Sequence, residues 1–177
     1  PLLLAIWAGF ILLIVAYATT LRSLIPAASR WPKLLFAVLL FGVFVRLLYA
    51  SATPYNVRDY DTGGHIDYVD YVQQYWKIPI AQNGWEFHQP PLYYAFSAVL
   101  LQAASPLHLP KSLLYQSLAG WSLVASILTF AVMLYCLTIL FRPDEGKTAV
   151  LGGLMLSVFT GFVFFASRIT NESLSIF

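Results

Sequence analysis

The stretch LLFAVLLFGVFVRLLYASAT, residues 34–53, contains a single charged side chain, Arg46, in twenty residues. A helix of about 20 apolar residues is long enough to cross the hydrocarbon core of a bilayer. Three further runs approach or exceed this length, at residues 2–21, 113–141 and 148–167. The pattern predicts an all-α protein, a multi-pass transmembrane helical bundle with four spans.

The composition points to the same class of protein. Hydrophobic residues make up 59% of the 177-residue chain and charged residues only 10%, whereas soluble domains carry about 25% charged residues. The net charge of +2 is too small and too dispersed to suggest nucleic acid as a partner. A single cysteine, Cys136, excludes an intrachain disulfide and any cysteine-based metal site. We therefore expect an integral membrane protein.

The loop between the second and third runs, residues 54–112, decides the predicted topology. Within it, residues 92–105 form an apolar run that is too short for a crossing and is closed by prolines, which favours an interfacial or re-entrant helix. With four crossings, the short loops 22–33 and 142–147 lie on one side and hold five of the ten lysines and arginines. The positive-inside rule makes that side cytoplasmic, so the loop 54–112 is predicted to be external.

Residues 61–76 of this loop have the periodicity of an amphipathic helix. Asp61 and His65 lie on its apolar side, together with Tyr68, Val69, Val72 and Trp76. Asp67 and Asp70 lie on the opposite, solvated side. A carboxylate on the apolar side requires a partner or a function, so Asp61 is the acid predicted to belong to a site.

Three polar motifs are candidates for that site. The first is Asp59-Tyr60-Asp61, with Arg58 before it and His65 after it; the second is His88-Gln89-Pro90-Pro91-Leu92-Tyr93-Tyr94; the third is Arg168-Ile169-Thr170-Asn171-Glu172. Each alone has an ordinary explanation, such as acids near a helix N-terminus, prolines in a first turn or a cap of the next helix. Because the predicted topology brings all three to the external side, together they indicate one site.

The order and spacing of these motifs resemble those of the GT-C superfamily of membrane glycosyltransferases, in the bacterial branch related to protein O-mannosyltransferases and aminoarabinose transferases. The resemblance covers roughly residues 34–177. It differs from many members in having Asp-Tyr-Asp rather than adjacent Asp-Glu, and in the additional run at residues 2–21. It implies that the chain is the N-terminal part of one GT-C-like transmembrane domain whose C-terminal remainder is absent.

The resemblance implies transfer of a sugar from a polyprenyl-phosphate donor to a lipid, glycan or protein acceptor, on the outer face of the bacterial inner membrane. Inverting transfer needs a carboxylate base, which the resemblance places at Asp61 or its neighbour Asp59. The expected substrate contacts are the phosphate-binding Arg58, Arg168 and His88, together with His65, Tyr93, Asn171 and Glu172. Asp59, Asp61 and His65 fit a divalent metal and hydrogen bonding equally well, so the metal stays open and no other cofactor is indicated.

A secondary transporter or a non-catalytic membrane subunit is the alternative, with a polymerase or lipid-linked ligase as a third. Transporters usually place coupling acids near mid-bilayer and have repeated broken helices, whereas the acids of this chain are predicted at the membrane surface. Arg46 lies inside a span, where an ionisable residue is costly. We expect it to extend outward or to pair with an acid of the external loop.

Overall fold

The computed structural model describes residues 31–57 and 61–171. Within these ranges all regular secondary structure is helical, as predicted. The helices are α1 (Trp31–Ala52), α2 (Thr62–Tyr75), α3 (Leu92–Ala104), α4 (Lys111–Leu140), α5 (Gly146–Val158) and α6 (Thr160–Phe165), with short 3-10 turns at Ala81–Asn83, Ser105–Leu107 and Pro143–Glu145. The predicted span at residues 2–21 lies outside the described residues.

Helices α1 and α4 have the dimensions of membrane spans. Lys33–Ala52 and Lys111–Leu140 are each long and apolar enough to cross a membrane, and they coincide with the predicted runs at 34–53 and 113–141. Four large apolar side chains on the outer surfaces of these helices are each more than half exposed: Phe44, Leu48, Ile139 and Leu140. An apolar surface of this kind is unfavourable in water and suits a lipid environment.

The prediction that residues 148–167 form a single membrane-spanning helix is wrong. Helix α5 ends at Val158, Phe159 has an extended backbone with ψ 115°, and α6 continues for only six residues. Helix α5 contains 13 residues and is therefore about 20 Å long, too short to cross the hydrocarbon core by itself. The break follows from contacts with other helices, which no local pattern of the run reveals.

Arg46 provides the main contact at this break. Its side chain is completely buried, and Nη1 donates to the carbonyl of Ser157 at 3.3 Å and to that of Gly42 at 3.0 Å. Nε donates to Ser126 Oγ, and the guanidinium carbon lies 4.5 Å from the centre of the Phe130 ring. The cation thus satisfies a carbonyl at the C-terminal end of α5, where positive charge is favourable. The prediction that Arg46 extends outward or pairs with a loop acid is wrong, because no described acid contacts it.

The chain directions at the two ends of the bundle follow from two contacts. At one end, a side chain at Gly146, the start of α5, would clash with the ring of Trp31 at the start of α1. At the other end, Thr53 Oγ1 donates to Ser167 Oγ at 3.2 Å. Helices α1 and α5–α6 therefore run in the same direction and pack directly against each other, and α4 runs in the opposite direction against both. As a result, the loop that follows α1 and the motif that begins at Arg168 lie at the same end.

Helices α2 and α3 pack together over that end. Their shared core is aromatic: the Tyr68 and Tyr94 rings are stacked with centroids 3.8 Å apart. The core continues with Val69, Val72, Tyr93, Ala98 and Leu101, and with Leu118, Ala119 and Ile169. The predicted short helix at 92–105 is confirmed as α3, and the predicted amphipathic helix as α2.

Two details of the predicted amphipathic helix are wrong. Trp76 is not on the buried side, because the helix ends at Tyr75 and Trp76 takes a left-handed conformation with 57% of its surface exposed. Asp70 is not simply solvated: it accepts a hydrogen bond from Tyr115 Oη at 2.9 Å and lies 3.9 Å from Lys111 Nζ. Asp67 remains exposed, as expected.

Gly42 of α1 packs directly against the Phe130 ring of α4 and provides a test of this packing. A Cβ at Gly42 would collide with the ring of Phe130, which is completely buried beneath Arg46. We expect Gly42→Ala to destabilise the protein by about 1–3 kcal/mol, the usual cost of overpacking. Gly120→Ala in α4 is the control, because nothing lies within 4 Å of its Cβ position; alanine should there stabilise the helix by up to about 1 kcal/mol. Thermal unfolding in detergent measures both, and equal melting temperatures would contradict the packing.

Candidate functional site

Asp61 is the centre of the candidate site. It immediately precedes the first residue of α2, and its Oδ1 accepts a hydrogen bond from Arg168 Nη1 at 3.2 Å. Its Oδ2 lies 3.7 Å from Nε2 of His65, one helical turn further on. The Asp61 side chain is 31% exposed, whereas those of His65 and Arg168 are 1% and 10% exposed. The Asp61 carboxylate is therefore held by buried side chains and remains partly accessible to solvent.

His65 is oriented by α3. Its Nδ1 lies 2.7 Å from Tyr94 Oη, and the two rings are stacked at an interplanar angle of 16°. Burial lowers the pKa of His65, and the neighbouring Asp61 carboxylate only partly opposes this. The imidazole is therefore neutral at pH 7. Its Nε2 is buried and has no hydrogen-bond partner among residues 31–57 and 61–171.

Glu86 completes this cluster and was missed in the sequence analysis. Its side chain is buried, and one donor atom from each of Asp61, His65 and Glu86 lies within 4.8 Å of the others. Glu86 belongs to an irregular segment, where periodicity gives no information. The available signal was its position between two aromatic residues, Trp85 and Phe87, where an acid requires a partner.

Gly64 allows Glu86 to approach α2 so closely. A Cβ at this position would lie 2.8 Å from Glu86 Cγ and 3.1 Å from Trp85 Cδ1, closer than side chains normally approach. The segment before the two prolines therefore packs directly against the helix backbone at Gly64. This glycine is required for its lack of a side chain rather than for an unusual conformation.

Gln89 joins the second motif to the third. Its Nε2 donates to Glu86 Oε2 at 3.1 Å, and its Oε1 accepts from Asn171 Nδ2 at 3.0 Å. Asn171 is buried, and its Oδ1 has no partner in the part of the chain that the structure describes. Gln89 was also missed in the sequence analysis, although it lies inside the His-x-Pro-Pro motif. Its importance depends on a contact 82 positions away in the sequence.

Arg168 reaches Asp61 from the irregular segment that follows α6. Its guanidinium carbon lies 4.3 Å from the centre of the Phe164 ring, and 8% of the residue is exposed. The aromatic face and the carboxylate fix the cation from two directions. This contact joins residues 107 positions apart and brings the first and third motifs together.

Two predicted substrate residues lie away from Asp61. Tyr93 is completely buried, with Oη 3.2 Å from Ser122 Oγ, and burial raises its pKa to about 12. The prediction that Tyr93 contacts substrate is corrected: it is a core residue, and Tyr94, about 100° further round the helix, reaches the site. His88 is exposed; its Nδ1 lies 3.2 Å from the Trp85 carbonyl and its Nε2 lies 3.3 Å from Gln89 Nε2, so Gln89 connects it to the cluster.

Three predicted site residues, Arg58, Asp59 and Glu172, lie outside the described residues. The choice between Asp59 and Asp61 as the catalytic acid therefore stays a prediction. So does the placement of Glu172 beside Asp61, although its neighbour Asn171 lies at the same end of the bundle.

Comparison of the chain with models of protein families, with curated proteins and with solved structures finds no match. The functional interpretation therefore depends on the chemistry of the site itself. That chemistry combines an accessible carboxylate, a fixed cation, a neutral imidazole, a buried second acid and two amide side chains.

Proposed function

We propose that this protein is a glycosyltransferase that moves a sugar from a polyprenyl-phosphate donor to an acceptor on the non-cytoplasmic side of the membrane. The observation that carries the proposal is the contact between Asp61 and Arg168. It joins a candidate base to a candidate phosphate-binding cation at the end of the two apolar helices. The pair is partly exposed at this end of the bundle, so a substrate can reach it, which favours a role in binding or catalysis.

Asp61 is suited to accept the proton of an acceptor hydroxyl. A general base must be ionised and must reach the proton that it removes. Arg168 holds one carboxylate oxygen of Asp61 by a hydrogen bond, and the exposed part of Asp61 leaves an approach for an acceptor. His65 lies buried behind it, with Nε2 3.7 Å from the second carboxylate oxygen.

Arg168 is suited to the other half of the reaction. The departing group is a lipid-linked phosphate, whose negative charge is stabilised by N–H donors held in place before the reaction begins. A guanidinium has five such donors in a planar fork. Because Phe164 and Asp61 hold Arg168, the cation is fixed beside the base.

Sugar hydroxyls need groups that both donate and accept hydrogen bonds, and sugar faces stack on aromatic rings. Asn171 and Gln89 provide the amides, which both donate and accept. Trp85 is 78% exposed, so its indole ring is an aromatic surface available to a sugar ring.

The position of the site along the bundle suits a lipid-linked donor. We infer a multi-pass protein of the bacterial inner membrane, with α1 and α4 as spans and the site at the outer surface. The exposed apolar side chains of these helices support the embedding. A donor anchored by its polyprenyl chain carries its phosphate at the headgroup level, which is the level of Asp61 and Arg168 in this arrangement.

A panel of radiolabelled polyprenyl-phosphate sugars, incubated with membranes that contain the full-length protein, tests the proposal. We expect label to pass from one donor to an acceptor, and to stop doing so when Asp61 is replaced. Transfer that is unaffected by replacement of both Asp61 and Arg168 would contradict this site.

Cysteine labelling tests the topology on which the proposal depends. With Cys136 replaced by serine, single cysteines at Gln82, Ser112 and Asp144, all exposed, are treated with a membrane-impermeant maleimide in intact cells. We expect Gln82→Cys and Ser112→Cys to be labelled, and Asp144→Cys only after permeabilisation. Labelling of Gln82 and Ser112 from opposite sides would mean that α3 crosses the membrane, and the shared outer site would be lost.

Secondary transport is the second candidate function, and one observation favours it. The interruption between α5 and α6, with the buried cation Arg46 beside it, resembles the broken helices that line transporter binding sites. A transport site there would respond to Arg46→Gln, whereas the proposed transferase would respond to Asp61→Asn. Uptake of labelled sugar phosphates into proteoliposomes, measured for both variants, distinguishes the two functions.

A further inference from the structure

The cluster formed by Asp61, His65 and Glu86 has the spacing of metal ligands. Asp61 Oδ2 and His65 Nε2 are 3.7 Å apart, too far for a good hydrogen bond. Two ligands that each lie about 2.1 Å from a shared ion are separated by roughly 3–4 Å. A donor atom of Glu86 lies within 4.8 Å of both, so an ion between the three requires only small movements of side chains.

The imidazole of His65 is prepared to bind an ion. Its Nδ1 is engaged by Tyr94 Oη at 2.7 Å, and a proton on Nδ1 leaves the lone pair on Nε2. Nε2 is buried, faces Asp61 and has no hydrogen-bond partner in the described ranges. Metal-binding histidines characteristically donate their other ring N–H to an oxygen in this manner.

Both carboxylates of the cluster are also oriented by partners. Arg168 occupies Oδ1 of Asp61, the oxygen that does not face His65. Gln89 donates to Oε2 of Glu86. Tyr94, Arg168 and Gln89 thus orient all three donor side chains, as the outer partners of a metal site orient its ligands.

We propose that Asp61, His65 and Glu86 bind one divalent transition-metal ion, Mn²⁺ or Zn²⁺. An imidazole nitrogen with two carboxylates favours these ions over Mg²⁺ and Ca²⁺, which prefer oxygen ligands alone. Three protein ligands leave at least one position of the ion for water or substrate. Because Asp61 is partly exposed, that position is expected on the outward side.

A role for the ion in the reaction rests on the proposed sugar transfer. Positive charge beside Arg168 favours an anionic phosphate at the site. Asp61 would offer Oδ2 to the ion, and Oδ1, which already accepts from Arg168, has a second lone pair for the acceptor hydroxyl. Binding of the ion itself does not depend on sugar transfer.

Titration of the purified full-length protein with MnCl₂, followed by electron paramagnetic resonance of free Mn²⁺, tests the site. The protein is prepared without a polyhistidine tag, and ZnCl₂, MgCl₂ and CaCl₂ are added as competitors. We expect one saturable site from which ZnCl₂ displaces Mn²⁺ far more readily than CaCl₂ does. Glu86→Gln should weaken binding at least tenfold, since glutamine keeps the size of the side chain and can still contact Gln89.

The matched control is Asp67→Asn, which removes an exposed acid from the same helix and should leave Mn²⁺ affinity unchanged. His65→Gln provides a second test, and thermal unfolding without metal verifies that each variant is folded. The proposal is overturned if the wild-type protein has no saturable site, if Glu86→Gln and His65→Gln bind Mn²⁺ like the wild type, or if CaCl₂ competes as well as ZnCl₂. Metal binding without sugar transfer from any donor would leave this site intact and count against the proposed function.

Discussion

Replacement of Asp61 by asparagine is expected to abolish sugar transfer, lowering the rate about a hundredfold or more, as loss of a general base does. The amide is nearly the same size, and its oxygen can still accept the hydrogen bond from Arg168. The protein should therefore fold normally, because no packing contact is lost. The measurement is single-turnover transfer of labelled sugar in membranes, together with thermal unfolding of the purified variant.

Asp67→Asn is the control for this experiment. Asp67 lies on the exposed side of the same helix, so its replacement should leave most of the activity. Asp70 is a poorer control, since it bonds to Tyr115 and Lys111. Normal turnover of Asp61→Asn, with an inactive Asp59→Asn, would move the base to Asp59.

Replacement of Arg168 by glutamine is expected to weaken transfer by roughly tenfold to a hundredfold, since a hydrogen bond to a charged group contributes about 1.5–3 kcal/mol. The loss should appear as a higher KM for the lipid-phosphate donor and a lower kcat, because the cation acts on the phosphate before and during its departure. Arg168→Lys should recover only part of the activity, because an ammonium cannot reproduce the planar fork of donors.

Arg142→Gln provides the comparison, because Arg142 is an exposed arginine near the opposite end of the bundle. Its replacement should alter neither KM nor kcat. If Arg168 served only to hold the segment after α6, then Arg168→Gln would lower the melting temperature and the amount of active protein, with KM for the donor unchanged. That outcome would remove Arg168 from the proposed chemistry.

Helix formation was the property most directly predictable from the sequence. The apolar run at 34–53 predicted α1 and that at 113–141 predicted α4, since length and hydropathy are local quantities. The periodicity of residues 61–76 predicted which face of α2 would be buried, and His65, Tyr68, Val69 and Val72 are buried. The break at Phe159 could not be predicted in this way, because the groups that satisfy it, Arg46 and Ser126, belong to α1 and α4.

The candidate site was only half predictable. Asp61, His65, Arg168 and Asn171 were identified because charged and amide groups stand out next to apolar runs. Glu86 and Gln89 were not identified, since they lie in an irregular segment where neither the helical nor the strand period applies.

The sequence by itself therefore determined the all-helical class, helices α1 to α4 and the end of the bundle at which its polar motifs collect. These properties depend on neighbouring residues along the chain. Only the tertiary structure decided that Asp61 pairs with Arg168, that Glu86 lies beside His65 and that Tyr93 belongs to the core while Tyr94 reaches the site. Such contacts join segments far apart in sequence, and they depend on helix packing to within an ångström or so, which no pattern along the chain encodes.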